Sequence, residues 1–290
     1  MNSALAQSWI DTSLYPFKSH YHPVKAGNMH YIDEGTGDII LFVHGTPTWS
    51  FLYRDFIKEL SKTHRCIAID HIGFGLSDKP NNFKGRPEDH AKNLSLFIKD
   101  LNLSGITLVV HDFGGPIGLA AAIENKDRIQ KIVLFNTWLW ETAQNESAIK
   151  VDKVINSSLG KFMYLKMNVS PKMLLKKGFS DKQNLSKNVH QHYVKPFPNK
   201  NSRYGLLNMG KSLVGSSEWY GQQWKLLDSL SDKPWLILWG SQDEFISTEY
   251  LEIWKRRLPQ AQVATYDCGH FVQEEKTLET IKAIKEFVNP

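Results

Sequence analysis

Short, unbroken apolar runs punctuate this chain, and each stops at a small or polar cluster. They read IILFV at 39–43, ITLVV at 106–110, PWLILWG at 234–240 and, less apolar, QVATY at 262–266. β-Branched residues pack well on a pleated surface, and runs without polar alternation are buried on both faces, as in parallel strands. Between them lie longer stretches with helical periodicity, at 50–62, 87–102 and 277–288. Strands alternating with amphipathic helices predict a mostly parallel central sheet flanked by helices, an α/β fold. The alternation fails between Trp138 and about Trp224. There the pattern predicts short helices, one opened by Ser170-Pro171 and ended by Gly178. A second is capped by Ser180 and runs to the residue before Pro196, with Leu185, Val189, His192 and Tyr193 on one face. The expected organisation is a core of residues 1–137 and 226–290, interrupted by a helical segment at 138–225.

A chain of 290 residues has room for that core and that insertion, by a prior of about 100–200 residues per domain. Cys66 and Cys268 are too few for a disulfide framework and suit a reducing cytosol, so a cytoplasmic location is expected. The first fifteen residues carry no basic or apolar signal region, so no signal peptide is expected. No apolar run approaches the roughly 18 residues needed to span a bilayer. A net charge of +5, spread along the chain, reads as solubility, and neither nucleic acid nor a membrane is expected as partner. Lys172, Lys176, Lys177, Lys182 and Lys187 read as solvated helix faces. A monomer or homodimer is expected.

The candidate chemistry starts at His111-Asp112-Phe113-Gly114-Gly115, directly after the run at 106–110. Pro116 is tolerated in the first turn of the helix that follows, where its missing N–H is no loss. A strand, one strained residue and a glycine-cleared helix start make a nucleophile elbow, and no Gly-x-Ser-x-Gly exists elsewhere in the chain. The elbow therefore presents Asp112, a carboxylate. Attack on acyl carbon would give a reactive anhydride, whereas displacement at a saturated carbon bearing a leaving group gives an ordinary ester. An aspartate of ordinary pKa, about 3.9, is ionised at neutral pH and needs no base for that step. Water must then clear the ester, which requires a general base and a group to orient it.

Both follow in order. His270 stands on a loop after the run at 262–266, where open α/β sheets keep functional groups. Asp243 follows the run at 234–240 and is the expected orienter of the imidazole. Upstream, Gly45 allows a sharp turn after the strand at 39–43. The backbone N–H groups of Thr46 and Phe113 are then expected to form an oxyanion hole. His44 reads as a loop-holding residue, and His111 as one facing the other side of the sheet. His190 and His192 lack a third ligand at metal spacing, and Gly73-Phe74-Gly75 lacks the third glycine of a dinucleotide loop. Neither metal nor cofactor is expected.

Four segments, HGTPTWSFLYR at 44–54, DHIGFGLSDKP at 70–80, 106–118 and GHFVQ at 269–273, resemble the haloalkane dehalogenase branch of the α/β-hydrolases. The resemblance thins between roughly 141 and 225. It implies an α/β-hydrolase fold with a helical cap inserted after the sixth strand. It also implies hydrolytic cleavage of carbon–halogen bonds, with a small apolar organic molecule and water as substrates. Some relatives draw the acid from the region of Glu141, which makes that residue a rival to Asp243.

In such dehalogenases an indole after the nucleophile and an Asn in the oxyanion loop, or a cap Trp, hold the departing halide. Here those two positions carry Phe113 and Thr46. Trp138, Trp140, Trp219 and Trp224 are alternative donors, and Thr46, Trp49, Phe113, Trp138, Tyr164 and Tyr193 are expected to line the pocket. Epoxide hydrolases share the Asp nucleophile and a His-Gly-x-Pro loop, and would use tyrosines such as Tyr164, Tyr193 or Tyr204 as acids. The β-lactone decarboxylases of olefin-forming pathways share the His-Gly-x-Pro-Thr-Trp-Ser loop. A scaffold kept only for ligand binding would have no need of His270 and Asp243 together.

Overall fold

A computed structural model of the chain describes residues 8–81 and 83–289. Eight strands form one sheet: β1 (His20–Val24), β2 (Gly27–Glu34), β3 (Ile39–Val43), β4 (Arg65–Ile69), β5 (Ile106–Val110), β6 (Ile129–Phe135), β7 (Trp235–Gly240) and β8 (Gln262–Tyr266). Their spatial order is β1-β2-β4-β3-β5-β6-β7-β8, antiparallel from β1 to β4 and parallel from β4 to β8. All four runs read as strands are strands. The β1–β2 hairpin went unread, because its histidines and acids mask the alternation in HYHPV and GNMHYIDE.

Successive residues of the central strands feed two separate cores. Leu41, Val43, Leu108 and Val110 pack into one; Ile40, Phe42 and Val109 pack into the other. That is why these strands carry apolar side chains on both faces. The helix Gly114–Glu124 passes close to the sheet, and the glycines make this possible. A Cβ on Gly114 would strike the backbone oxygen of Val43, and one on Gly118 would strike Val110.

Between β6 and β7 the chain forms only helices, from Glu146 to Leu230. Gly178 ends the segment opened by Ser170-Pro171, as the sequence implied. The next helix differs: it is Lys187–Val194, capped by the Ser186 side chain, which accepts from the Val189 N–H at 3.2 Å. Ser180 does not cap it, because its hydroxyl donates to Glu275 Oε2 at 2.6 Å. The Asp181 side chain instead caps one 3₁₀ turn, Lys182–Asn184.

Candidate active site

The C-terminal ends of the parallel strands lie along one edge of the sheet, and the loops leaving β3, β5, β6, β7 and β8 meet there. Asp112 leaves β5 at φ +53°, a left-handed conformation that costs on the order of 1–3 kcal/mol for a residue with a Cβ. Tertiary contacts hold it. The Asp112 N–H donates to Asn136 O at 2.9 Å, and the Thr137 hydroxyl donates to Asp112 O at 2.6 Å. Both partners come from the two residues after β6. A Cβ on Gly45 would collide with the Asp112 carboxylate and one on Gly115 with Thr137, so both glycines are required by close approach.

The Thr46 N–H donates to Asp112 Oδ1 at 2.7 Å, and His270 Nε2 lies 3.6 Å from Oδ2. On the other side of the imidazole, Nδ1 donates to Asp243 Oδ2 at 2.7 Å. Asp243 is itself fixed: Asn136 Nδ2 donates to Oδ2 at 2.9 Å, and the N–H groups of Phe245 and Ile246 donate to Oδ1 at 2.7 and 3.0 Å. The structure thus brings together Asp112, His270 and Asp243, with the Thr46 N–H on the Asp112 carboxylate. Burial pulls the pKa of His270 down, but the charge of Asp243 and the neighbouring Asp112 outweigh it and raise it to about 10. Between two carboxylates the imidazole is held toward its protonated form.

One residue of this constellation, Asn136, was not read from the sequence, and the placement of another, His111, differs from the expectation. Asn136 ties Asp112, through its backbone carbonyl, to Asp243, through its side-chain amide, and also accepts from the Gly240 N–H at 2.8 Å. An Asn at the abrupt end of the apolar run 132–135 was the available signal. His111 was expected to face away. Instead its ring packs on His270, with centroids 4.4 Å apart, and its Nε2 donates to His270 O at 3.0 Å. Burial, then the charge of His270, holds its pKa down to about 3, so it stays a neutral support.

The pocket candidates separate. Phe113, Trp138 and Tyr164 belong to one core cluster. The rings of Phe113 and Trp138 meet edge-on at 4.9 Å, and Tyr164 lies within electrostatic reach of Asp112, whose charge adds to burial in raising its phenol to about 12. Trp49 and Tyr193 fall in the opposite cluster. The Trp49 indole donates to His192 O at 2.9 Å, and the Tyr193 hydroxyl donates to Glu274, which also takes 2.6 and 2.7 Å bonds from Arg54. These two are corrections: both aromatic groups are spent on internal packing, joining the helical insertion to the core. Trp140 and Trp224 are likewise absorbed, packed on each other and on Trp254. Trp219 packs on Tyr220, and Tyr204 is half-buried at the start of the helix Tyr204–Gly215. Glu141 is exposed beside Gly221, Glu244 pairs with Lys177, and Asp267 accepts from Gln242.

Three buried polar atoms at this site have no hydrogen-bond partner: Thr46 Oγ1, Trp138 Nε1 and His111 Nδ1, of which the first two can donate. Orphaned buried donors are costly, on the order of 1–3 kcal/mol each, and mark places where a ligand atom can be received. His44 acts within the scaffold, its Nδ1 donating to Gly45 O and its Nε2 accepting from the His71 N–H. His190 and His192 bond to Pro171 O and Asn188 O.

A family model described as the alpha/beta hydrolase fold matches residues 38–277. Haloalkane dehalogenase 2 of Mycobacterium tuberculosis is 36% identical over 234 residues, which cover 80% of this chain and 81% of that protein. A cis-3-alkyl-4-alkyloxetan-2-one decarboxylase of Shewanella oneidensis is 34% identical over a 297-residue alignment, covering 96% of this chain and 90% of that one. Among solved structures, haloalkane dehalogenase DatA from Agrobacterium tumefaciens C58 superposes with a TM-score of 0.83 at 24% identity, over 96% of this chain and 98% of the other.

Proposed function

Because this chain belongs to the α/β-hydrolase family, in its haloalkane dehalogenase-like branch, we propose that it cleaves carbon–halogen bonds in small haloalkanes through an ester on Asp112. The observation that carries this reading is the nucleophile itself, an aspartate on a strained elbow with Oδ1 on the Thr46 N–H and Oδ2 facing His270. Oδ2 attacks the carbon, the carbon–halogen bond breaks, and the halide leaves with the bonding pair. Thr46 Oγ1 and Trp138 Nε1, both buried without partners, are the donors available to the departing ion. Esterification removes the charge of Asp112, one of the causes that favour the protonated form of His270, so the imidazole releases its proton to solvent along with the departing halide. Neutral His270 then takes a proton from water, and the hydroxide attacks the ester carbonyl. The oxyanion forms at Oδ1, against the N–H groups of Thr46 and Phe113. Collapse expels the alkoxide, which takes the proton from His270 and leaves as the alcohol; the Asp112 carboxyl, now carrying one oxygen from water, passes its proton to His270, and both groups return to their starting charges. Residues 138–225 act as the cap over this site, through Trp138 and Tyr164.

A second reading is favoured by the Shewanella oneidensis relative, whose alignment spans more of the chain. On a dialkyl β-lactone, the same Oδ2 could displace the ring oxygen at the saturated carbon. Loss of carbon dioxide from the tethered carboxylate would then form the alkene and release Asp112. That cycle consumes no water and has no need of a general base. Epoxide opening would draw its cap acid from Tyr164 or Tyr204, since Tyr193 is committed to Glu274.

A product assay tests the reading. With 1-bromobutane the protein is expected to release bromide and butanol in equal amounts, and Asp112→Asn is expected to release neither. Alkene and carbon dioxide from a cis-3,4-dialkyl oxetanone, with no bromide from any bromoalkane, would replace the first reading with the second. Restoring an indole beside the nucleophile bears on the leaving group. A hydrogen bond to a charged group contributes roughly 1.5–3 kcal/mol, so Phe113→Trp is expected to raise bromide release by about tenfold or more where the larger ring fits beside Trp138. Single-turnover halide release measures it.

A further inference from the structure

The outer face of the helical insertion is both apolar and basic. The helix Glu146–Asn156 buries Ala148 and Ile155 and exposes Val151 and Val154. In the next, Ser158–Phe162, Gly160 is buried while Leu159 and Phe162 are 65% and 53% exposed. The following turns repeat the division: Tyr164 and Leu165 face inward, and Met167 and Met173 stand in solvent. Scattered exposed apolar residues are ordinary, but consecutive elements exposing Leu, Phe and Met mark an interaction surface.

Charge says what kind. Residues 146–177 carry seven lysines against Glu146 and Asp152, with no Arg or His; seven less two is +5, equal to the net charge of the whole chain. The positive excess is thus carried here and balances out elsewhere. All seven lysines are exposed, and among the described residues only Lys150 and Lys177 have an acidic partner, at 4.0 and 3.2 Å. Beside the helix Glu146–Asn156 lies an open cavity of about 430 Å³ whose lining adds Lys84, Lys211 and Arg86, the last paired with Glu88 at 3.7 Å. A folded chain gains nothing internally from crowding unpaired cations around exposed apolar tips. An anionic lipid surface rewards both, since lysines are drawn to its headgroups and apolar tips enter the acyl boundary.

We propose that the outer face of residues 146–177 docks on the surface of anionic bilayers, seating Leu159 and Phe162 below the headgroups while Lys153, Lys161 and Lys166 lie among them. No helix among the described residues is long and apolar enough to cross a membrane, so the contact is peripheral. It departs from the expectation of no membrane partner, and from the reading of Lys172, Lys176 and Lys177 on the same segment as simply solvated. It also sets the cap over the site against the phase in which apolar substrates concentrate, and it stands whichever of the two reactions the site performs.

Co-sedimentation with phosphatidylglycerol-containing vesicles and with pure phosphatidylcholine vesicles tests it. The native protein is expected to partition onto the anionic vesicles in low salt and to detach at high salt, with little binding to phosphatidylcholine. The triple substitution Lys153→Gln, Lys161→Gln, Lys166→Gln should weaken partitioning roughly 100-fold, from the known contribution per lysine near such a surface. Leu159→Ser with Phe162→Ser should weaken it at least roughly tenfold at unchanged charge. Unchanged turnover of a water-soluble substrate would show that both variants are folded. Equal binding to both vesicle types, or none, overturns the proposal on the native protein alone. So does partitioning indifferent to the Leu159 and Phe162 changes, or a vesicle-free dimer that those changes dissolve, which would mean that a second copy covers this face.

Discussion

His270→Gln is expected to stop turnover after a single event, leaving the alkyl group bound as an ester on Asp112. Displacement needs only the carboxylate, which the Thr46 N–H still holds at Oδ1. Hydrolysis needs a base beside Oδ2, and His270 Nε2, 3.6 Å away, is the group in place. General-base catalysis contributes about 10²–10⁴-fold, and glutamine supplies none of it, so steady-state turnover should fall by about that factor. Mass spectrometry after exposure to 1-bromobutane should find the peptide containing Asp112 heavier by one butyl group, with one equivalent of bromide released. The same variant separates the two chemistries. Decarboxylation of a β-lactone through Asp112 consumes no water, so it should persist without His270. A variant that consumes bromoalkane repeatedly and carries no adduct would show that the ester is not an intermediate.

The parts of the site that were legible in the sequence are those encoded within one strand and its following loop. Asp112 is marked by the apolar run before it and the glycines after it, and His270 and Asp243 each follow a strand within a few residues. What stayed hidden depends on contacts between distant segments. Asn136 serves Asp112 and Asp243 at once, and His111 reaches His270 across the sheet edge. Trp49 and Tyr193 were misjudged for the same reason. Their positions suit a pocket wall, but rotamer and partner decide which way a ring points. His192 O and Glu274 captured their polar ends. Ser180 is a further case, since a good capping residue lost its helix to the Glu275 carboxylate. Fold class survives such errors because hydrophobic periodicity sums over many residues, whereas a hydrogen bond has one partner.

Asp243→Asn should cost about 10⁴-fold in turnover, by analogy with the orienting acids of other hydrolytic triads, while leaving the fold intact. The geometry explains why so similar a side chain fails. Three donors converge with His270 Nδ1 on this carboxylate, from Asn136, Phe245 and Ile246. An amide has one acceptor atom. If its oxygen keeps the two backbone N–H groups, its NH₂ confronts Asn136 Nδ2 and pushes His270 to accept at Nδ1. The proton then sits on Nε2, which can no longer take one from water. If the amide turns over, its NH₂ meets the two backbone N–H groups instead. Either way the carboxylate charge is gone, and the imidazole pKa should fall from about 10, because that charge was the largest influence opposing burial. NMR titration of His270 reads this fall independently of activity and separates loss of orientation from unfolding. Glu141, exposed beside Gly221, is the competing acid. Should Asp243→Asn keep native turnover while Glu141→Gln loses it, the orienting role belongs to Glu141 and the hydrogen bond at Asp243 is structural.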